Sequence, residues 1–222
     1  MGSVNWFPVY LSLKVAGLAT LAALVLGIPL AWCLARRKFP GADFLGAAVT
    51  LPMVLPPTVL GYYLLLMIGR QSPLGRWLEE RWGITLVFTW QAAVLAATVV
   101  ALPLVVRSAQ AAFEAIDSHI EAAARTLGRS EAAVFFTVTV PLAWRGILAG
   151  TILAFARAIG EFGATLMVAG NIPGRTQTLS VAIYDAVQAG KDTLANALAV
   201  LISLVTVAVL VILGRIAKVT RW

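Results

Sequence analysis

The 222-residue chain is 60% hydrophobic and only 12% charged, whereas soluble domains carry about 45–50% apolar and about 25% charged residues; a water-soluble globule is excluded. Its net charge of +7, from 17 Lys and Arg against 10 Asp and Glu, does not indicate a nucleic-acid partner. The basic residues form short clusters beside apolar blocks instead of one stripe, which is the pattern of membrane topology signals.

A membrane-spanning helix needs about 20 mostly apolar residues. Five stretches qualify, at 9–35, 47–69, 86–106, 146–169 and 195–216. All are expected to be helices, because lipid offers an open backbone no partner. The fold class is therefore an all-α integral membrane protein, with residues 1–222 read as a single domain. The first stretch has no basic segment before it and far exceeds the roughly 7–15 apolar residues of a signal peptide. It is read as a retained span that includes the lone Cys33, so no disulfide or zinc framework arises within one chain. Lys14, in the same stretch, is expected to snorkel towards the outer interface.

In the second stretch Pro52, Pro56 and Pro57 each remove a backbone donor, so this span should be kinked or have an irregular start. Segment 70–85, with Trp77 and Trp82, reads as a short amphipathic helix at the headgroup level. Pro103 should kink the third span. Segment 107–145 is helix material from Ala111 to Phe136, interrupted at Gly128 and stopped before Pro141. After the fourth span, Asn171-Ile-Pro-Gly174 signals a turn, and Thr178 to Val187 suits a re-entrant or interfacial helix.

Placing the loop after the first span inside puts ten Lys and Arg there (Arg36, Arg37, Lys38, Arg107, Arg125, Arg129, Arg145, Arg215, Lys218 and Arg221). Five lie outside: Arg70, Arg76, Arg81, Arg175 and Lys191. The bias predicts an external N-terminus and a cytoplasmic C-terminus.

Two stretches carry chemistry. The first, between spans three and four, runs Ser118-His119-Ile120-Glu121-Ala122-Ala123-Ala124-Arg125-Thr126-Leu127-Gly128, followed by Val138-Thr-Val-Pro141. Alanines keep a helix surface smooth enough for close approach by another protein, and Gly128 permits the left-handed turn between two short helices. The second is Phe155-Ala-Arg157-Ala-Ile-Gly160-Glu161-Phe-Gly163-Ala-Thr165. An Arg and a Glu at i, i+4 share one face of a helix, and ionisable groups at membrane depth face protein or a wet path. Arg157 and Glu161 are thus either a structural pair or part of an anion route. The chain has no Gly-x-x-x-x-Gly-Lys-Ser/Thr loop, so it is not expected to bind ATP.

The first stretch resembles the loop of ABC importer permeases, in which Glu-Ala-Ala is followed by three residues, Gly, nine residues and Ile-x-Leu-Pro. Gly128 and the run to Pro141 keep that spacing, whereas Glu121 stands one residue earlier than the pattern. The second stretch, with Asn171-Ile-Pro-Gly-Arg-Thr-Gln-Thr178 and Leu51-Pro-Met-Val-Leu-Pro-Pro57-Thr-Val-Leu-Gly61-Tyr, is similar to the permeases of oxyanion importers, those for molybdate most closely. Sulfate and tungstate permeases share the class. The resemblance implies that residues 118–128 form a cytoplasmic coupling helix that docks on an ATPase. It further implies a homodimer in a bacterial inner membrane, two ATP-binding subunits using ATP and magnesium, and an extracytoplasmic oxyanion-binding protein. The permease itself would bind no cofactor or metal and have no catalytic residue. Thr58, Tyr62, Arg157, Glu161 and Thr165 are the candidates for the anion path, opened alternately to the two sides. A passive channel or scaffold would have no use for the coupling loop.

Overall fold

The computed structural model describes residues 6–37 and 39–219, all helix and loop without a strand among them; Lys38 and Arg221 of the basic clusters lie outside this range. Helix α1, Phe7–Arg36, has 30 residues, which at 1.5 Å per residue exceeds the roughly 30 Å of a bilayer core. Its buried residues Leu11, Val15, Ala19, Ala23, Gly27 and Ala31 recur every four positions and form one narrow stripe, mostly of small residues. Against that stripe lies α5, Trp90–Glu114, whose Ala92, Ala93, Ala96, Ala97 and Ala101 are completely buried. In lipid, helices associate through close packing, and small side chains permit it. Alanines on both partners make α5 the central helix of the bundle.

The Pro-Pro dipeptide dictates the second element. A residue before proline is pushed out of the α region. Leu55 and Pro56 both precede a proline, and both are extended, with ψ of 142° and 137°. Helix α2, Ala42–Val54, therefore stops, and α3, Pro57–Ile68, starts afresh with its axis turned by 116°. This is far more than the expected kink of a span at 47–69. Pro103, by contrast, is accommodated within the unbroken α5.

Helix α4, Pro73–Trp82, is capped by Ser72, whose Oγ accepts from Gly75 N at 2.8 Å, and ends at Gly83 in the left-handed region. The third long helix starts at Trp90 and continues to Glu114, beyond the expected 86–106. The chain then turns at Ala115–Asp117 into α6, Ser118–Thr126, so the helix expected from Ala111 is already broken before Gly128.

Helix α7, Glu131–Val134, a π-helical stretch Phe135–Thr139 and α8, Val140–Ile159, form one continuous helix of 29 residues. Pro141 does not stop it. A proline lacks the N–H and crowds the carbonyl four residues back. The preceding turns are widened to i→i+5 bonds, such as Val140 N to Phe135 O, and relieve that crowding. The fourth span consequently begins earlier than 146. It breaks at residues 160–162 and resumes as α9, Gly163–Ala169. Helix α10, Leu179–Gln188, falls in the segment assigned to a short interfacial helix, and α11, Asp192–Val219, encloses the fifth stretch. Among the described residues four helices are long and apolar enough to cross a membrane, or five crossings result if α2 and α3 count as one.

The two broken elements pack on each other. A Cβ built on Gly61 of α3 would lie 2.6 Å from Met167 Cβ and 3.0 Å from Ala164 Cα of α9, and one on Gly163 would lie 2.8 Å from Pro57 Cβ. Gly61→Leu should therefore lower stability by about 1–3 kcal/mol through overpacking. Gly17→Ala, with open space around it, should be neutral or slightly stabilising. Thermal midpoints in detergent check both; equal midpoints for Gly61→Leu and wild type would refute the close contact.

Candidate functional site

Helix α6 projects from one end of the bundle and is bounded at both ends by specific caps. Asp117 Oδ1 accepts from His119 N at 2.9 Å, which satisfies one of the free donors of the first turn. At the other end Gly128 N donates to Arg125 O at 2.9 Å and Arg129 N to Ala124 O at 3.3 Å. This bonding pattern requires a left-handed residue, supplied by Gly128 at φ +80°. Ser130 then caps α7 by accepting from Ala133 N. Ser118, His119, Ile120, Ala122, Ala123, Arg125, Thr126, Leu127 and Gly128 are exposed, and Ala124 is half-buried. The outward surface therefore combines alanines and two apolar projections, Ile120 and Leu127, the latter 84% exposed, with the polar Ser118, His119, Arg125 and Thr126.

Glu121 points the other way. It is 2% exposed, and its Oε1 accepts from Arg36 Nη2 at 3.2 Å and from Thr139 Oγ1 at 2.8 Å. Arg125 Nη2 stands 3.8 Å from Oε2. One carboxylate thus ties the last residue of α1, the helix α6 and the π-helical stretch together. Arg36 Nη2 also donates to Ile116 O at 3.2 Å, fixing the turn before α6. On the outer side Arg125 Nε donates to Glu131 Oε1 at 2.6 Å, and that hydrogen bond holds the guanidinium above its ordinary pKa. An aromatic cluster supports the junction. Phe135 meets Trp32 edge-on at 5.5 Å and Phe113 at 6.3 Å.

Glu121, one residue earlier than the family pattern, is buried, whereas Ala122, at the position of the pattern's Glu, is exposed. Arg36 entered the sequence reading only as a topology charge, and Thr139 only as part of the run to Pro141. Neither was legible as a carboxylate partner, because Arg36 lies 85 residues away.

The second site is the break between α8 and α9. Arg157 is in the last turn of α8, while Glu161 lies beyond the helix end. Glu161 Oε1 accepts from Ala164 N at 2.8 Å and so caps α9, and its Oε2 lies 2.8 Å from Arg157 Nη1. The Glu161 side chain is only 2% exposed, the Arg157 side chain 38%. Of the other three candidates, Thr165 is buried at 1%, whereas Thr58 and Tyr62 of α3 are exposed. Thr58, Tyr62 and Arg157 therefore reach the surface of the chain beside the two helix breaks, and Glu161 and Thr165 stand behind them. Among the described residues no group of three His, Cys, Asp or Glu side chains could hold a metal ion.

Residues 23–220 match the family described as binding-protein-dependent transport system inner membrane component. The chain is 50% identical over 184 residues to the molybdenum transport system permease protein ModB of Escherichia coli K12, covering 83% of this chain and 80% of that one. It is 46% identical to the putative molybdenum transport system permease protein YvgM of Bacillus subtilis, over 90% of this chain and 88% of the other. The ModB protein of Mycobacterium tuberculosis is 43% identical over 92% of this chain and 76% of its own length. Among solved structures, the fold matches a chain of the inward-facing MetNI methionine ABC transporter with a TM-score of 0.73 at 20% identity, covering 99% of both. A bacterial ABC transporter that imports alginate matches at 0.80 and 13% identity, over 100% of this chain and 82% of that one. A multi-pass inner-membrane protein, the chain belongs to the family of binding-protein-dependent transport system inner membrane components.

Proposed function

We propose that this chain is the permease subunit of an ATP-driven molybdate importer, one of two copies that enclose the anion path between them. The carrying observation is 43–50% identity to molybdenum permeases from three organisms over four-fifths or more of the chain. The geometry of α6 supports the same reading. In it, the α2–α3 pair counts as one crossing, giving five spans with the N-terminus outside and the C-terminus in the cytoplasm. Residues 118–128 form the coupling helix, which presents Ala122, Ala123, Ile120 and Leu127 to a separate ATPase subunit. An extracytoplasmic binding protein delivers the oxyanion to the opposite face.

The mechanism is alternating access. ATP draws the two ATPase subunits together, and each carries its coupling helix with it. Glu121 is the group that converts this displacement into movement of the spans, because it joins α6 to α1 through Arg36 and to the α8 helix through Thr139. A charge-assisted bond between buried groups resists separation more than an exposed ion pair does. At the level of the helix breaks, Thr58, Tyr62 and Arg157 line the route, with Arg157 as its cation. Glu161 holds Arg157 in place and prevents it from binding the anion too tightly to release.

Three outcomes are expected. With the cognate ATPase in proteoliposomes, the binding protein loaded with molybdate or tungstate should stimulate ATP hydrolysis and sulfate should not. Stimulation by sulfate would keep the importer and overturn its substrate, and failure to associate with any ATPase would end the reading. Glu121→Ala leaves the half-buried Arg36 with only Ile116 O as partner and should destabilise the chain by about 2–3 kcal/mol. Arg36→Ala should do the same, and the double variant should cost much less than the sum. Additive losses in chemical denaturation would show that the two groups do not interact. Arg157→Ala should slow molybdate uptake while the assembled complex is still recovered by gel filtration. Loss of the complex instead would assign Arg157 a purely structural role.

A further inference from the structure

At the end of the bundle remote from α6, a cavity of about 450 Å³ opens between the start of α1, the start of α5 and the loop that precedes α10. Its polar lining is one-sided. Lys14 and Arg175 both face it, with Tyr10, Thr89, Gln91 and Thr176, and no Asp or Glu contributes to the wall. Among the described residues neither cation is part of an ion pair, although five such pairs occur elsewhere. The ammonium of Lys14 rests 3.6 Å from the centre of the Trp90 ring. A ring face orients a cation and lowers its energy modestly, but it removes no charge and accepts none of its three N–H donors in the ordinary way. Lys14, expected only to snorkel, is therefore held in one place with its charge unneutralised.

The walls are built to stay where they are. Leu179 N donates to Ser12 Oγ at 2.8 Å, binding the start of α10 to α1 beside the cavity. Ile172 O accepts from Arg175 N, Thr176 N and Gln177 N at 3.1, 2.9 and 3.2 Å, and Ile172 N donates back to Thr176 Oγ1. The loop carrying Arg175 is thereby closed on itself. Phe88, another wall residue, has φ +61°, a conformation that is a genuine outlier for a bulky side chain. Its N–H is fixed to Val168 O at 2.9 Å and its ring covers Gly170. Strain of this kind persists where the surroundings over-determine it and is found at ligand sites.

We infer that this cavity is a binding site for a tetrahedral oxyanion group, held between Lys14 and Arg175. Two charge-assisted contacts from unpaired cations supply the attraction, and Gln91 and Tyr10 offer neutral donors for the remaining oxygens. A lipid phosphate and a free oxyanion such as molybdate, sulfate or phosphate present the same chemistry to these residues. The site does not involve α6 or the helix breaks, so it stands or falls independently of the importer reading.

The test uses the full-length protein and needs neither ATPase nor binding protein. In one arm, protein in phosphatidylcholine nanodiscs is titrated calorimetrically with molybdate, sulfate and phosphate. In the other, native mass spectrometry counts phosphatidylglycerol retained against phosphatidylcholine from mixed vesicles. Wild-type protein should bind in at least one arm, and the arm that responds names the source. Lys14→Met and Arg175→Gln should each weaken that binding about tenfold, as expected for one charge-assisted contact. Arg76→Gln, which removes an exposed cation outside the cavity, should leave it unchanged. Arg175 is exposed, so its variant reports on binding even if Lys14→Met fails to fold. Wild-type binding in neither arm overturns the site, as do Arg175→Gln binding equal to wild type and equal losses in all three variants.

Discussion

An amide or carbonyl left without a partner in hydrocarbon costs several kcal/mol, yet this chain interrupts two of its apolar helical stretches. Everything around the candidate path follows from how the freed groups are satisfied. At the α2–α3 break neither Pro56 nor Pro57 has an N–H to lose, so the interruption leaves fewer free donors than any other dipeptide there would. At the α8–α9 break the compensation is a side chain. Glu161 accepts from Ala164 N, and Arg157 balances the charge that this buried acceptor brings. Neither break stands in lipid alone, because Gly163 lets Pro57 approach and Gly61 lets Met167 approach. Irregular backbone at membrane depth is tolerated where it is covered by protein or lines a wet cavity, and here each break covers the other.

A second constraint is the expense of buried carboxylates, each of which the chain pairs with an arginine. Glu121 and Glu161 are the two buried carboxylates, at 2% and 3% exposure, and each holds an arginine that reaches further out. The roles differ. Glu161 closes a helix end four residues from its arginine, a local matter of one element. Glu121 bridges three elements and also accepts from a threonine, so its removal disturbs the relative placement of α1, α6 and α8. Buried pairs of this kind often add little to stability beyond a hydrophobic alternative. Their retention at junctions is consistent with fixing geometry.

Much of the fold was legible because its signals are local. Apolar blocks of about 20 residues marked the long helices, and the Pro56-Pro57 dipeptide marked a discontinuity where one occurs. What escaped notice was relational. The i, i+4 spacing of Arg157 and Glu161 suggested one helical face, and the pair does form, but across a helix end that Gly160 alone does not announce. Pro141 read as a stop because the rule assumes i→i+4 bonding; five residues of π-helix remove the premise. The inward turn of Glu121 depends on Arg36 and Thr139, which are 85 and 18 residues away. No periodicity within α6 could reveal it. The path candidates divided likewise, with Thr58 and Tyr62 on the exposed side of α3 and Thr165 buried in α9.

In the importer reading, these two arrangements serve one mechanical end. A displacement applied to α6 enters the bundle through Glu121 and is shared between α1 and the 29-residue helix that ends at Ile159. An unbroken helix transmits such a movement as a rigid rod, since its length is fixed by its hydrogen bonds. The rod ends at residues 160–162, where no helical bond continues the ladder and where the facing helix is itself interrupted. Rotation is absorbed most easily at element ends, by a few residues that change φ and ψ. The place where the backbone can bend is therefore also the place where Arg157, Thr58 and Tyr62 reach the surface, so movement at the hinge changes the route itself.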